Sequence, residues 1–151
     1  MSGAEDALDG QQQARSILRE IYGYLEFRGQ QLDVINATLE GHDSLVLMPT
    51  GGGKSICYQI PALIRPGVAL IVSPLIALMH DQVAALTQLG INAAYLNSSL
   101  SSADQRRVIS RLEARELDLL YVAPERLVKE HTLQQLAAAS VGLIAIDEAH
   151  C

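Results

Sequence analysis

Three consecutive glycines followed by lysine and serine, Gly51-Gly52-Gly53-Lys54-Ser55, stand between an apolar run and a stretch of helical periodicity. That context suits a loop that cradles phosphate. Glycines let backbone N–H groups turn toward an anion with no side chain in the way, and the helix that follows adds its positive amino-terminal end. Thr50 and the glycines would wrap the phosphates of a nucleoside triphosphate, the Lys54 ammonium would reach the β- and γ-phosphates, and the Ser55 hydroxyl would ligate Mg²⁺. The strict pattern asks for glycine where Met48 stands, so it is missed by one position. A merely flexible glycine-rich turn would not also require the strand, the Lys-Ser pair and the helix.

A second apolar run, residues 143–146, ends in the paired carboxylates Asp147 and Glu148, followed by Ala149 and His150. Alone, such a pair is more often a solvated turn. Downstream of a phosphate loop it gains a chemical reading: Asp147 holds Mg²⁺ through its water shell, and Glu148 orients and deprotonates the water that attacks the γ-phosphate. The two segments together indicate hydrolysis of a nucleoside triphosphate. The tetrapeptide DEAH at 147–150 resembles that of the superfamily 2 helicases, which implies that His150 couples hydrolysis to movement.

These residues need a scaffold. Beyond Gly41, short β-branched or leucine-rich runs alternate with longer amphipathic stretches, the pattern of βαβ units with buried parallel strands. Strands are predicted over 45–48, 69–72, 93–96, 119–122 and 143–146, and helices over 54–64, 75–89, 101–114 and 131–138. Helical spacing of Ile17, Leu18, Ile21 and Leu25, and again of Leu32, Ile35 and Leu39, predicts two helices ahead of the sheet, over 14–25 and 31–39. Residues 1–10 lack apolar periodicity and read as a flexible leader to one domain, 11–151. The polar and glycine-rich segments each follow directly on a strand, so an open parallel sheet would gather them on one edge, where ligands of such sheets bind.

Over residues 22–151 the chain resembles the RecQ family of DNA helicases. The resemblance is carried by Tyr22-Gly23-Tyr24 with Phe27, Arg28 and Gln31, and by residues 48–63, 73–83, 96–100 and 121–127. It implies an α/β fold: a RecA-like P-loop lobe, with a parallel sheet flanked by helices. It also implies ATP and Mg²⁺ as cofactors, with Tyr24 stacking on adenine and Arg28 and Gln31 contacting the base. Its activity would be 3′→5′ unwinding of DNA in repair and recombination, with single-stranded and partially duplex DNA as partners. Ser73, Asn97, Ser98 and Arg126 fall in the blocks that line the single-strand track, although each could equally cap a helix or pair locally. Where the family often has Pro-Gly after the arginine, this chain has Gly29-Gln30, and His80 stands at a position that is often basic. Two other classes stay open on the residues alone: a DExH-type RNA helicase lobe and a non-catalytic nucleotide-binding module.

Composition narrows the partners. Eleven basic against seventeen acidic residues give a net charge of −6, which excludes a broad basic face for nucleic acid and requires local contacts instead. Arg106, Arg107, Arg111 and Arg115 are interspersed with acidic residues and read as a solvated helix face. Cys57 and Cys151 have no CxxC spacing, and His42 and His131 have no partners at metal-ligand spacing. No apolar run approaches the roughly 18 residues needed to cross a bilayer, and the expected location is a bacterial cytoplasm, at the nucleoid. The chain ends one residue after DEAH. In the family, the strand that follows this motif sits between the P-loop strand and the DEAH strand, and a second lobe supplies arginine fingers. The expectation is therefore a lobe with a gap in its central sheet and at most trace ATPase activity.

Overall fold

Strands that are apolar on both faces can be buried only if helices cover both sides of the sheet they form. In the computed structural model, which describes residues 3–29, 31–40, 45–49, 56–64, 67–74, 76–127, 134 and 141–148, the apolar runs make one five-stranded sheet of that kind. The elements run α1 (Gly3–Glu20), α2 (Gln31–Glu40), β1 (Leu45–Pro49), α3 (Ile56–Ile64), β2 (Val68–Val72), α4 (Ile76–Gln88), β3 (Ala93–Leu96), α5 (Ser102–Glu113), β4 (Leu119–Val122), α6 (Pro124–Leu127) and β5 (Val141–Glu148). The strand order is β1-β5-β2-β4-β3, and every adjacent pair is parallel. This is the α/β class expected, with the strand ends that precede the polar segments on one edge.

The two faces divide the side chains by period two. Ala69, Ile71, Leu119, Tyr121, Leu143 and Ala145 join Cys57, Tyr58 and Ala62 of α3 and Met79, Val83 and Leu86 of α4 in one cluster. Val68, Leu70, Val72, Leu120 and Val122 join Leu112 of α5 and Leu127 of α6 in the other. The order explains the split. From β1 to β2 to β3 the chain moves one way across the sheet, and from β3 to β4 it moves back, so right-handed crossovers must place α3 and α4 on one face and α5 on the other. Helix α3 is buried from Ile56 to Ala62 because α1 and α2 pack on its outer side, through Ala14, Leu18 and Ile35 against Ile56 and Ile60.

Three expectations are corrected. Residues 3–10 are helical rather than a flexible leader: α1 starts at Gly3. Ala4, Ala7, Leu8 and the glutamines are good helix formers, and extending an existing helix avoids the cost of nucleation. No gap separates the P-loop strand from the DEAH strand. β5 pairs directly with β1, from Leu45↔Ile144 to Pro49↔Glu148, and on its other side with β2 through Leu70↔Ile144 and Val72↔Ile146. The pairing satisfies backbone groups that would otherwise be buried without partners. The first helix, expected over 14–25, stops at Glu20, since Gly23 takes φ +77 and Leu25 is exposed. The helix expected over 131–138 lies outside the described residues except at position 134, which is helical.

Because alternate amides of a parallel strand donate to opposite neighbours, both sets in β5 should be protected. Native-state hydrogen exchange should find Leu143 to Ile146 uniformly slow, as slow as the β2 amides. Fast exchange at every second β5 position would contradict the β1–β5 pairing.

Candidate functional site

The register of β1 against β5 sets Met48 opposite Asp147 and Pro49 opposite Glu148. The strand that leads into the glycine-rich loop and the strand that carries the paired carboxylates are therefore neighbours, ending at the same level. Thr50, Gly51, Gly52, Gly53, Lys54, Ser55 and His150 lie outside the described residues, and at Asp147 and Glu148 the backbone alone is described. What the fold fixes is the seat of these groups. Immediately after the loop, α3 opens with Ile56 and Cys57 already in the core, so the loop's far end is anchored in buried structure.

The residues expected to meet the base follow α1, and the first of them lie near the same helix. After α1, Tyr22 is half-buried against both Gln59 and the core, Gly23 takes φ +77, a conformation that costs glycine nothing, and Tyr24 emerges 49% exposed. Tyr24 stands with Tyr22, Ile56, Gln59 and Gln82 around a cavity of about 260 Å³. Arg28 is exposed, and its backbone N–H donates to Oε1 of Gln31 at 2.8 Å while the Gln31 N–H donates back to the Arg28 carbonyl at 3.0 Å. The Gln31 oxygen is thus used to close the turn that starts α2, and Phe27 packs beside Ile56 and Ile60. Tyr24 thus sits at the cavity beside α3, while Arg28 and Gln31 pair with each other at the start of α2.

Sequence reasoning did not single out the polar chain beneath this turn. The Tyr22 hydroxyl donates to Gln59 Oε1 at 2.9 Å, Gln59 Nε2 donates to the Tyr121 hydroxyl at 3.1 Å, the Tyr121 and Tyr58 hydroxyls are 3.3 Å apart, and Tyr58 donates to Gln82 Oε1 at 2.7 Å. The Tyr58 and Tyr121 rings meet edge to face. Burial pushes the Tyr22 hydroxyl well above the ordinary tyrosine value, and Tyr121 nearby adds to the effect. Tyr58 and Gln59 sit inside a helix of otherwise apolar residues, and that contrast is the signal available in the sequence.

On the other strand ends, the proposed DNA contacts separate by burial. Ser73 and Asn97 are 2% and 1% exposed, so their side chains point into the protein rather than toward a phosphate. Asn97 Oδ1 accepts from the Ser99 N–H at 2.8 Å and from the Ser99 hydroxyl, and its Nδ2 lies 3.8 Å from Met79 Sδ. Of the two duties open to Asn97, the structure favours the local one, closing the turn after β3. Ser98 is exposed. Arg126, on α6, borders a groove of about 410 Å³ shared with Ser102, Gln105, Arg106 and Glu113 of α5, and its Nε is buried without a hydrogen-bond partner. Arg107 pairs with Asp104 at 3.3 Å on the surface, as a solvated face would. His80 is exposed, 3.8 Å from Asp81 and edge-on to the Tyr95 ring. His42 and His131 lie outside the described residues, among which no cluster of metal-ligating side chains occurs. No helix among them is long and apolar enough to cross a membrane.

The family model described as DEAD/DEAH box helicase matches residues 28–151. The chain is 50% identical over 138 residues to the ATP-dependent DNA helicase RecQ of Haemophilus influenzae, covering 91% of this chain and 22% of that protein. It is 46% identical to the RecQ of Bacillus subtilis, covering 91% of this chain and 24% of that protein. Against the ATP-dependent DNA helicase Q1 of Rattus norvegicus it is 40% identical, covering 91% of this chain and 23% of that protein. The chain thus spans about a quarter of the length of these relatives.

Two substitutions probe the geometry. Asn97→Ala removes a buried acceptor from the turn and should lower stability by roughly 1–3 kcal/mol, read as a fall in thermal or urea midpoint. Tyr22 holds its proton longer in the folded chain than in the unfolded one, so its contribution is full below about pH 10 and falls as pH rises beyond it. Melting temperatures taken at pH 9 and pH 11 should drop less in Tyr22→Phe than in the wild type.

Proposed function

This chain belongs to the DEAD/DEAH box helicase family, and we propose that it is the ATP-binding lobe of a RecQ-like DNA helicase that unwinds DNA in the 3′→5′ direction. The observation that carries the reading is the β1–β5 register, Met48 beside Asp147 and Pro49 beside Glu148, which makes neighbours of the two strands whose ends bear the phosphate loop and the carboxylates. A nucleoside triphosphate with Mg²⁺ fits such a seat, since an anion-binding loop and a pair of carboxylates leave the sheet side by side.

In this reading Thr50, Gly51, Gly52 and Gly53 offer backbone N–H groups to the phosphates, and Lys54 neutralises the outer two. Ser55 and Asp147 would hold Mg²⁺, which when bound screens the charge of the β- and γ-phosphates. Glu148 orients the attacking water and accepts its proton. His150, two residues on, links that step to the nucleic-acid side. Tyr24 stacks on the adenine ring, with Arg28 and Gln31 at its edge. Single-stranded DNA runs over the ends of β3 and β4, where exposed Ser98 and the Arg126 guanidinium meet phosphates, a mode that suits an acidic protein. In the whole protein the substrate in this reading is partially duplex DNA at the bacterial nucleoid; the relatives named ATP-dependent DNA helicase RecQ support a DNA substrate.

Titration calorimetry tests the foundation of this reading. The chain should bind ATP only in the presence of Mg²⁺, and Lys54→Ala should abolish the heat while leaving the circular dichroism spectrum unchanged. Undiminished binding by Lys54→Ala would remove the phosphate loop from the reading. In the longer protein, stimulation of ATP turnover by single-stranded DNA over RNA is expected, and the reverse preference would point to an RNA helicase.

A further inference from the structure

Gln59 is 5% exposed, yet an apolar side chain of the same volume would fill its place at lower cost, because burying an amide is unfavourable unless both of its ends are hydrogen-bonded. Both ends are. Its oxygen accepts from Tyr22, in the turn that presents Tyr24, and its nitrogen donates to Tyr121, at the centre of β4. The proton count makes the arrangement directional. Tyr58 donates its one hydroxyl proton to Gln82, so it can only accept in the 3.3 Å contact with Tyr121. Gln59 Nε2 donates to the Tyr121 hydroxyl while Oε1 accepts from Tyr22, so the amide oxygen faces Tyr22. Four parts of the fold, the turn after α1, α3, α4 and β4, are fixed relative to one another by five side chains.

The location gives the network a use. Gln59 lies one turn into α3, the helix that begins where the phosphate loop ends. Tyr22 lies two residues before Tyr24, across Gly23 with its positive φ, and Gln59, Tyr22 and Tyr24 line the same cavity. Among the described residues, backbone bonds from Tyr22 and Tyr24 to the carbonyls of Ile17 and Leu18 tie this turn to α1, which meets α3 through apolar contacts, and the Tyr22–Gln59 bond adds a directional link from the turn to α3 itself.

We propose that Gln59 is a positioning residue for the nucleotide base. Through the Tyr22 hydroxyl it holds the turn that presents the Tyr24 ring against the first turn of α3, the helix that follows the phosphate loop in the chain, so that base and triphosphate are engaged together. The proposal rests on the ATP-binding reading above and adds to it a residue that touches neither base nor phosphate.

The test compares Mg²⁺-ATP with Mg²⁺-tripolyphosphate, which has no base, as ligands of the full 151-residue chain. The wild type should prefer ATP. Gln59→Leu, and separately Tyr22→Phe, should weaken ATP by roughly five- to tenfold, the scale of one aromatic contact, while tripolyphosphate affinity stays at the wild-type value. Tyr22→Phe deletes a single oxygen atom and decides the matter if Gln59→Leu does not fold. An unchanged preference for ATP in both variants would overturn the proposal, as would a parallel loss of both ligands, which is what mere loosening of the core would give. A wild type that binds tripolyphosphate but shows no preference for ATP would overturn it too. A wild type that binds neither ligand would bring down the nucleotide reading itself, and the proposal with it.

Discussion

The pairing of β5 between β1 and β2 is the constraint on which the rest of the structure depends. A strand buried on both faces has no solvent to satisfy its N–H and C=O groups, so it must be flanked by other strands along its length. For β5 those flanks are the strand that leads to the glycine-rich loop on one side and, on the other, a strand whose five residues are all buried. The same requirement that makes the sheet continuous therefore makes the candidate site continuous, since Asp147 and Glu148 reach the edge where Met48 and Pro49 do. Had the register slipped by one residue, every side chain of β5 would have changed face, exchanging Leu143 and Ala145 for Ile144 and Ile146 in the wrong core.

Much of this was legible in the residues. β3 and β4 occupy the spans predicted, Ala93–Leu96 and Leu119–Val122, because Asn92 and Asn97 bound the first apolar run, and Asp118 and Pro124 bracket the second. β5 runs from Val141 to Glu148, longer than the apolar core at 143–146, since backbone pairing continues past the point where side-chain hydropathy stops. The start of α1 was missed for the opposite reason: helix formation there follows from propensity and extension rather than from an apolar stripe. The neighbour of β1 was also missed, because which strands pair is decided by long-range burial, and knowledge of related sheets pointed to a different partner.

The site shows the same division. The glycine-rich loop and the carboxylate pair were found from local pattern, and the topology sets their strands side by side. Asn97 and Ser73 were chosen as polar residues at strand ends, a rule that says nothing about which way a side chain turns, and both turn inward. The Tyr22–Gln59–Tyr121–Tyr58–Gln82 chain lay beyond sequence reasoning because its five members are spread from position 22 to position 121 and meet only after α3, α4 and β4 have packed. A buried polar network of this kind has to be complete to be tolerated, which is why it also fixes one arrangement of the elements around it.

That network has an optical consequence. The chain has no tryptophan and five tyrosines, and three of the five, Tyr22, Tyr58 and Tyr121, are links in the hydrogen-bonded chain. Near-ultraviolet absorption and emission from this protein therefore originate largely in the elements that join the turn of Tyr24 to α3 and β4, with no brighter indole to mask them. The protein carries its own chromophores at the place where the turn of Tyr22 meets its core.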